Sequence, residues 1–200
     1  ITYPIKMYHS KHGPVLKDDN KAFALRFVGM NDVNHSTAWL KMNKSKNIDE
    51  WLNALRMEQL ASLNLVYADK DDNIFFVHNA KSPVRDPNYN WKQVVPGNKS
   101  ELIWTDFHPF ESVPQILNPS SGYIFSTNQN PFFVTAKEDN LSLSNFNPTM
   151  GFQTRTTNRA YRAYELLDAD KSISFSELDK YKHDNKFSYN SRQYKFMEEI

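Results

Sequence analysis

The sequence predicts an α+β fold with antiparallel sheets, on the basis of three observations. Short apolar runs separated by polar turns predict strands at residues 2–8, 14–17 and 22–28. The stretch LNLVYADKDDNIFFVHN has two apolar runs around Asp69–Asn73, which is typical of a β-hairpin. Helical patterns predict helices at about 36–43, 47–59, 156–167 and 174–184.

The start of two of these helices is marked by capping residues. In the segment 47–59, one helical face carries Ile48, Trp51, Leu52 and Leu55. Asn47 followed by Glu50 resembles a capping box, which predicts where this helix begins. Ser174 and Glu177 form a second capping box within DADKSISFSELD, and a helix start explains that stretch better than a calcium-binding EF-hand loop does.

Two long regions lack clear periodicity. Residues 80–121 are rich in Pro, Asn and Gly and predict a long packed loop, and residues 135–154 predict another polar loop. Between these loops, SSGYIFSTNQNPFF (residues 120–133) predicts a strand with a buried segment at Tyr123–Phe125. That strand ends in three side-chain amides at residues 128–130. Such a cluster either forms a turn or presents one amide to a ligand.

Composition narrows the class of protein. The 200 residues are 40% apolar and 14% aromatic, which predicts a sizeable core, and the sequence has no cysteine for disulfides, thiolate catalysis or cysteine-ligated metals. With 24 basic and 23 acidic residues the net charge is +1, which argues against a nucleic-acid partner. No apolar run approaches the ~20 residues of a membrane span. Because Ile1 lies within a strand pattern, we expect an internal fragment of a longer protein.

The order of several motifs resembles a known family. They are HGPVL, the pair Trp39 and Trp51, NLVYADKDDNIFFVHNA, VPG, WTDFHPFESVPQILNPSSGYIFSTNQNP and GFQTR. Together, from about residue 10 to about residue 185, they resemble the penicillin acylase family of N-terminal-nucleophile hydrolases, including acyl-homoserine-lactone and aculeacin acylases. Two turn positions depart from the family pattern, since Asp72 and Asp106 stand where family members usually carry Gly. The resemblance implies part of a four-layer αββα sandwich, within the catalytic β subunit.

The resemblance also implies a mechanism. Family precursors cleave themselves between two subunits and expose an N-terminal Ser, which attacks an amide carbonyl while its own α-amino group acts as the base. We expect that Ser to lie upstream of this chain, because no residue here matches the nucleophile position. The 200 residues alone are therefore expected to be inactive. A non-catalytic module that keeps the scaffold is the alternative, and the residue at the upstream subunit junction discriminates the two.

Family positions supply the candidate site residues. Asn128 matches the side-chain amide that stabilises the oxyanion, and Arg155 matches an arginine near it, with Arg159 as a competing choice. Trp39 and Leu63 match an aromatic and an aliphatic residue of the acyl pocket, although each also suits an ordinary core position.

Cofactors, partners and location follow from the same resemblance. Asp139 matches a calcium ligand whose companions lie in other segments, so we expect no cofactor in this fragment and calcium only in the full enzyme, since calcium takes 6–8 oxygen ligands. The expected partners are an N-acyl small molecule, the remaining β-subunit segments and the α subunit, with no nucleic acid. A periplasmic or secreted location is implied. The substrate itself, whether a penicillin, an acyl-homoserine lactone or a lipopeptide, stays open.

Overall fold

Within the residues that the structure describes, the β part of the fold consists of three small antiparallel sheets. The computed structural model describes residues 6–60, 62–78 and 81–199. The strands in those ranges are β1 (Tyr8–Ser10), β2 (Gly13–Lys17), β3 (Ala22–Ala24), β4 (Asn64–Ala68), β5 (Ile74–His78), β6 (Ser82–Pro83), β7 (Phe107–His108) and β8 (Gln115–Leu117). Their sheet orders are β1-β2-β3, β4-β5-β8 and β6-β7.

The helical part is made of five α-helices in the same ranges. They are α1 (His35–Lys44), α2 (Ile48–Leu55), α3 (Asn158–Ala169), α4 (Phe175–Lys182) and α5 (Arg192–Glu198). None of the helices in the described ranges is long and apolar enough to cross a membrane. The α+β prediction is confirmed.

The first sheet confirms the three predicted strands with shifted ends. β2 begins one residue before the predicted run 14–17, β3 lies inside the run 22–28, and β1 begins at the end of the run 2–8; residues 2–5 of that run lie outside the described residues. Gly13 begins β2 at φ +136°, and a Cβ there would lie 2.1 Å from the carbonyl oxygen of Leu25. Only glycine therefore fits this crossing of two chain segments.

The β4–β5 hairpin is confirmed, and its turn is closed by one carboxylate. The Asp69 side chain accepts hydrogen bonds from the backbone N–H groups of Asp71 (2.9 Å) and Asn73 (3.1 Å). Asp72, one of the two turn positions that depart from the pattern described above, has φ +61°. Aspartate is among the residues that tolerate this left-handed conformation, so the departure is accommodated by the turn.

β5 is buried on both faces. Phe75 faces the main core, where its ring centroid lies 5.9 Å from that of Trp51 on α2. Phe76 points to the opposite face and packs with Ile116 of β8 and Val134 in a second core cluster. Because side chains alternate along a strand, a strand covered on both faces reads as a continuous apolar run.

The helix predictions are confirmed except at some ends. α2 stops at Leu55 rather than near 59, because Glu58 takes a left-handed φ of +52°. Asn47 caps this helix by accepting from the Glu50 N–H (2.9 Å), but the Glu50 carboxylate binds the N–H of Lys46 (3.0 Å), so the capping box is not closed. The second capping box, at the start of α4, is complete. Helix α5 was missed.

The predicted strand within residues 120–133 is wrong. The backbone N–H of Phe125 donates to the Val134 carbonyl (2.9 Å), but no ladder forms. Side chains take the place of a neighbouring strand: the Thr135 hydroxyl donates to the Tyr123 carbonyl (2.7 Å) and the Gln129 amide to the Phe125 carbonyl (3.2 Å). The predicted burial of Phe125 is confirmed.

The two predicted loops contain short elements. The region 80–121 includes β6, β7 and β8, which pattern alone did not predict. The loop 135–154 has three single-turn 3₁₀ helices, at Lys137–Asp139, Leu143–Asn145 and Pro148–Met150. These short elements leave both regions mostly irregular, as expected from their composition.

Candidate functional site

Asn128 lies at the edge of a cavity with its side-chain amide unengaged. Its backbone has φ +64°, a conformation that asparagine adopts more readily than most residues do. The residue is exposed, and within the part of the chain that the structure describes its amide makes no hydrogen bond. The cavity that Asn128 lines has a volume of about 670 Å³. A group held in this way is available to a ligand.

The cavity combines an apolar wall with a cationic rim. Its apolar side chains come from the Asn128 segment, α3 and α4: Phe125, Ala163, Leu166, Leu167 and Leu178. Its charged lining consists of Arg159, Arg162, Lys182, Asp184 and Lys186. Four cations thus face one carboxylate in a chain whose net charge is only +1. The local potential therefore favours negative charge inside the cavity.

An ion-pair network fixes the wall between α3 and the segment after α4. Arg162 binds Asp184 through two contacts, Nε–Oδ1 at 2.8 Å and Nη2–Oδ2 at 2.9 Å. Its Nη1 also lies 3.3 Å from Glu165 Oε2. The arginine and Asp184 side chains are 22% and 15% exposed. This two-point hydrogen bonding lowers the pKa of Asp184 from its ordinary value of 3.8 to about 2.

The ion pair between Arg162 and Asp184 should make the free energy of unfolding depend on pH in the acid range. A carboxyl whose pKa is lower in the folded state stabilises the fold above its unfolded pKa, and that contribution is lost as pH falls through the folded value. We expect about 1–2 kcal/mol of unfolding free energy to be lost between pH 5 and pH 2, with partial screening by solvent included. Urea unfolding across this range should show a shallower pH dependence for Asp184→Asn, whereas Asp19→Asn, in an exposed turn, should match the parent. Identical profiles for the parent and Asp184→Asn would contradict the assignment.

Of the two candidate arginines, Arg159 is the one that lines the cavity together with Asn128. Arg159 stands in the first turn of α3 and lines the same cavity as Asn128. Arg155 is exposed and is absent from that lining; its carbonyl accepts a hydrogen bond from the Asn130 amide (3.2 Å). The structure therefore brings Arg159 together with Asn128, and joins Arg155 to the same loop through its backbone.

The two acyl-pocket candidates lie elsewhere. Trp39 on α1 and Leu63 before β4 are both half-buried and pack against the main core. The Trp39 ring makes an edge contact with His35, at a centroid distance of 6.2 Å. Neither side chain lines the Asn128 cavity. In this structure they occupy core positions.

Asp139 closes a loop. Its Oδ1 accepts from the Ser120 hydroxyl (2.8 Å) and its Oδ2 from the Ser121 N–H (2.7 Å). These hydrogen bonds lower the pKa of Asp139, so the carboxylate is charged at neutral pH. In residues 6–60, 62–78 and 81–199 no three His, Asp or Glu side chains are grouped to hold a metal.

Sequence reasoning missed the role of the two amides that follow Asn128. The amide cluster at residues 128–130 was expected to form a turn or to present one amide to a ligand, but Gln129 and Asn130 are buried, with exposures of 3% and 6%. A buried amide must be hydrogen-bonded to be tolerated, and both are. The cavity wall was also missed, although Arg159, Arg162, Ala163 and Leu166 fall on one helical face at i, i+3, i+4 and i+7.

Comparison with known proteins gives consistent matches. The sequence model of the family described as penicillin amidase matches residues 2–198. Penicillin G acylase of Escherichia coli is 33% identical over 129 residues, which are 62% of this chain and 15% of that protein. The penicillin acylase 2 proenzyme of Pseudomonas sp. (strain SE83) is 29% identical over 123 residues, or 60% of this chain and 16% of that protein. The chain thus covers less than a fifth of either relative.

A solved structure has the same fold. The thermostable penicillin G acylase from Alcaligenes faecalis superposes with a TM-score of 0.69 over 88% of this chain and 30% of that chain, at 24% identity. This likeness confirms the expected relation in fold, a mixture of helices and antiparallel sheets. At this level of identity the likeness concerns the fold alone.

Proposed function

The chain belongs to the penicillin amidase family, and we propose from this premise that it forms part of the catalytic subunit of an amidohydrolase that cleaves linear N-acyl amides. The observation that carries the proposal is the unengaged amide of Asn128 at the edge of a cavity with a cationic rim. Acyl transfer passes through a tetrahedral intermediate with a negatively charged oxygen, and that charge needs fixed donors in a shielded pocket.

The proposed reaction uses a nucleophile that lies upstream of this chain. The hydroxyl of an N-terminal Ser adds to the substrate carbonyl and transfers its proton to its own α-amino group. The amine half then leaves with that proton, and water hydrolyses the acyl-enzyme by the reverse sequence. Asn128 donates an N–H to the oxyanion in both steps. Its freedom from other hydrogen bonds in the described ranges supports this role.

Electrostatics near Asn128 support the same role. Arg159 contributes a positive charge on the cavity wall, and its place in the first turn of α3 adds the positive end of the helix dipole. We assign the orienting charge to Arg159. We assign to Arg155 a supporting role through the backbone carbonyl that receives the Asn130 amide. Arg155 thus stabilises the loop that carries the donor, and Arg159 stabilises the negative charge that develops beside that donor.

Three further assignments belong to the proposal. Trp39 and Leu63 are our candidates for the acyl pocket, since both side chains are half-buried and keep some surface for a ligand. Asp139 is our candidate calcium ligand in the whole enzyme, where it would exchange its two present hydrogen bonds for the metal. The other β-subunit segments and the α subunit are the proposed partners, in a periplasmic or secreted protein formed by autocatalytic cleavage of a precursor.

The proposal predicts a sharp difference between this chain and the longer protein. The purified 200-residue chain should show no hydrolysis of an acyl anilide and no covalent adduct with phenylmethylsulfonyl fluoride, because it lacks the nucleophile that the mechanism needs. The longer protein, with the upstream segment, should hydrolyse the anilide and take one adduct on its N-terminal Ser, as read by mass spectrometry. Hydrolysis by the 200-residue chain would contradict the mechanism. A longer protein that binds acyl compounds but carries no reactive Ser would favour the non-catalytic module.

A further inference from the structure

We propose that Gln129 and Asn130 are positioning residues, which hold the Asn128 amide at the cavity and set its place relative to Arg159. The inference rests on the proposed function, because positioning matters only if the Asn128 amide acts on substrate. The three consecutive amides would then have different roles. Asn128 is exposed and lines the cavity, whereas Gln129 and Asn130 are buried.

Gln129 ties together the chain on both sides of Asn128. Its Oε1 accepts from the N–H of Thr127 (2.5 Å) and from the Thr127 hydroxyl (3.0 Å). Its Nε2 donates to the carbonyls of Phe125 (3.2 Å) and Phe133 (2.8 Å). An amide side chain offers two donors and one acceptor oxygen with two lone pairs, so all of its hydrogen-bonding capacity is used. The residue before Asn128 and the segment after it are held by one side chain.

Asn130 connects the same turn to the start of α3. Its Nδ2 lies within hydrogen-bond distance of the carbonyls of Thr154 (3.1 Å) and Arg155 (3.2 Å) and of the Thr156 hydroxyl (3.2 Å). Its Oδ1 accepts from the N–H of Phe132 (3.0 Å). Residues 154–156 lead directly into α3, the helix that carries Arg159. Asn130 therefore connects the turn that carries the proposed donor, Asn128, to the start of the helix that carries the proposed charge, Arg159.

These contacts hold the backbone on both sides of the exposed Asn128. The left-handed conformation at φ +64° is set by its neighbours, because the Asn128 side chain has no hydrogen bond of its own within the described ranges. Loss of an anchor would leave the cavity and the amide in place but widen the range of positions that the amide visits. Misplacement of a catalytic group by about 1 Å costs up to ~10²-fold in rate.

A double-mutant cycle in the complete enzyme separates positioning from general support of the loop. Gln129→Leu should lower kcat by about 10- to 10²-fold with KM changed less than about twofold, because the loss is in the alignment of the donor. The reference background is Asn128→Gly, which removes the amide and accepts φ +64°. In that background Gln129→Leu should lower kcat by no more than about twofold, since no donor remains to be positioned. Equal losses in both backgrounds would overturn the inference.

Asn140 provides a matched control. Its Oδ1 accepts from the N–H of Val134 (2.8 Å), and its Nδ2 donates to the carbonyls of Thr135 (2.9 Å) and Ala136 (2.9 Å). It is thus a similar amide anchor in the adjoining loop, but it does not bracket Asn128. Asn140→Leu should lower the thermal midpoint as Gln129→Leu does while changing kcat by less than about twofold. A kcat loss equal to that of Gln129→Leu would indicate loop stability alone.

A milder variant decides the case if Gln129→Leu does not fold. Thr127→Val removes the hydroxyl bond to Gln129 and replaces one hydroxyl of the cavity lining by a methyl group, whereas Thr127→Ser keeps the hydroxyl. We expect Thr127→Val to lower kcat about threefold or more and Thr127→Ser to restore it, as for one lost neutral hydrogen bond. Unchanged kcat in a folded Thr127→Val enzyme would overturn the inference. If Asn128→Gly itself retains the parent kcat, the assignment of Asn128 to the oxyanion is wrong, and the positioning role falls with it. If Asn128→Gly lowers kcat strongly but the effects of Asn128→Gly and Gln129→Leu on kcat are additive, only the positioning role is overturned.

Discussion

Replacement of Asn128 by alanine in the complete enzyme is expected to lower kcat by on the order of 10²–10³, with KM nearly unchanged. The amide at the cavity edge would bind the oxyanion of the intermediate more strongly than the neutral carbonyl of the substrate, so its loss falls on the transition state. Steady-state kinetics on an acyl anilide measure the effect. A near-normal kcat would show that Asn128 serves only as a turn residue.

Two companion variants separate chemistry from backbone strain. Asn128→Gly removes the amide without the roughly 1 kcal/mol that alanine costs at φ +64°, so it should match alanine in kcat and exceed it in stability. Asn128→Asp keeps the size of the side chain and its tolerance of this conformation, but places negative charge beside the oxyanion. It should be at least as damaging as alanine. Activity in Asn128→Asp above that of Asn128→Gly would contradict the donor role.

Replacement of Arg162 by leucine should destabilise the fold by about 2 kcal/mol, because it leaves the half-buried carboxylates of Asp184 and Glu165 without their cation. The lost contacts join α3 to the segment after α4, so the cavity wall should loosen with them. Urea unfolding at pH 7 measures the change. Arg192→Leu, at an exposed arginine on α5, should alter stability by no more than about 0.5 kcal/mol.

The double variant tests the cause of that loss. Arg162→Leu combined with Asp184→Leu removes the stranded carboxylate as well, so the double variant should be more stable than Arg162→Leu alone. If the single variant costs less than about 1 kcal/mol, the pair behaves as a solvent-exposed salt bridge. In that case the α3–α4 wall is held mainly by its leucines.

Elements that depend on neighbouring residues were predicted well from the sequence. The β4–β5 hairpin follows from two apolar runs and one turn, and the start of α4 follows from Ser174 and Glu177. Elements that need a partner far away in the sequence were not predicted. β8 pairs with β5 across about 40 residues, and nothing in its three residues marks it as a strand. The segment at Tyr123–Phe125 has strand-like residues but finds side chains in place of a ladder.

The residues of the candidate site were likewise predicted only in part. Asn128 was identified through the family resemblance, and its cavity agrees with a role in binding. The resemblance favoured Arg155 over Arg159, because the spacing of residues near a helix start does not show which of them lines a cavity. In the structure α3 begins at Asn158, and Arg159 lines the cavity with Asn128. Gln129 and Asn130 have residue types equally suited to an exposed turn, and only tertiary burial makes them anchors.

The burial of β5 on both faces has a consequence for how the chain folds. The β4–β5 hairpin needs only a short closure, so it can form as soon as both strands have left the ribosome. The outer face and edge of β5 wait longer, because the residues that cover Phe76, on β8 and at Val134, are synthesised some 40 to 60 residues later. At about 5–20 residues per second this interval lasts seconds. During that time a bare strand edge beside an exposed phenylalanine is open to pairing with other chains, so the hairpin is where a chaperone would be needed.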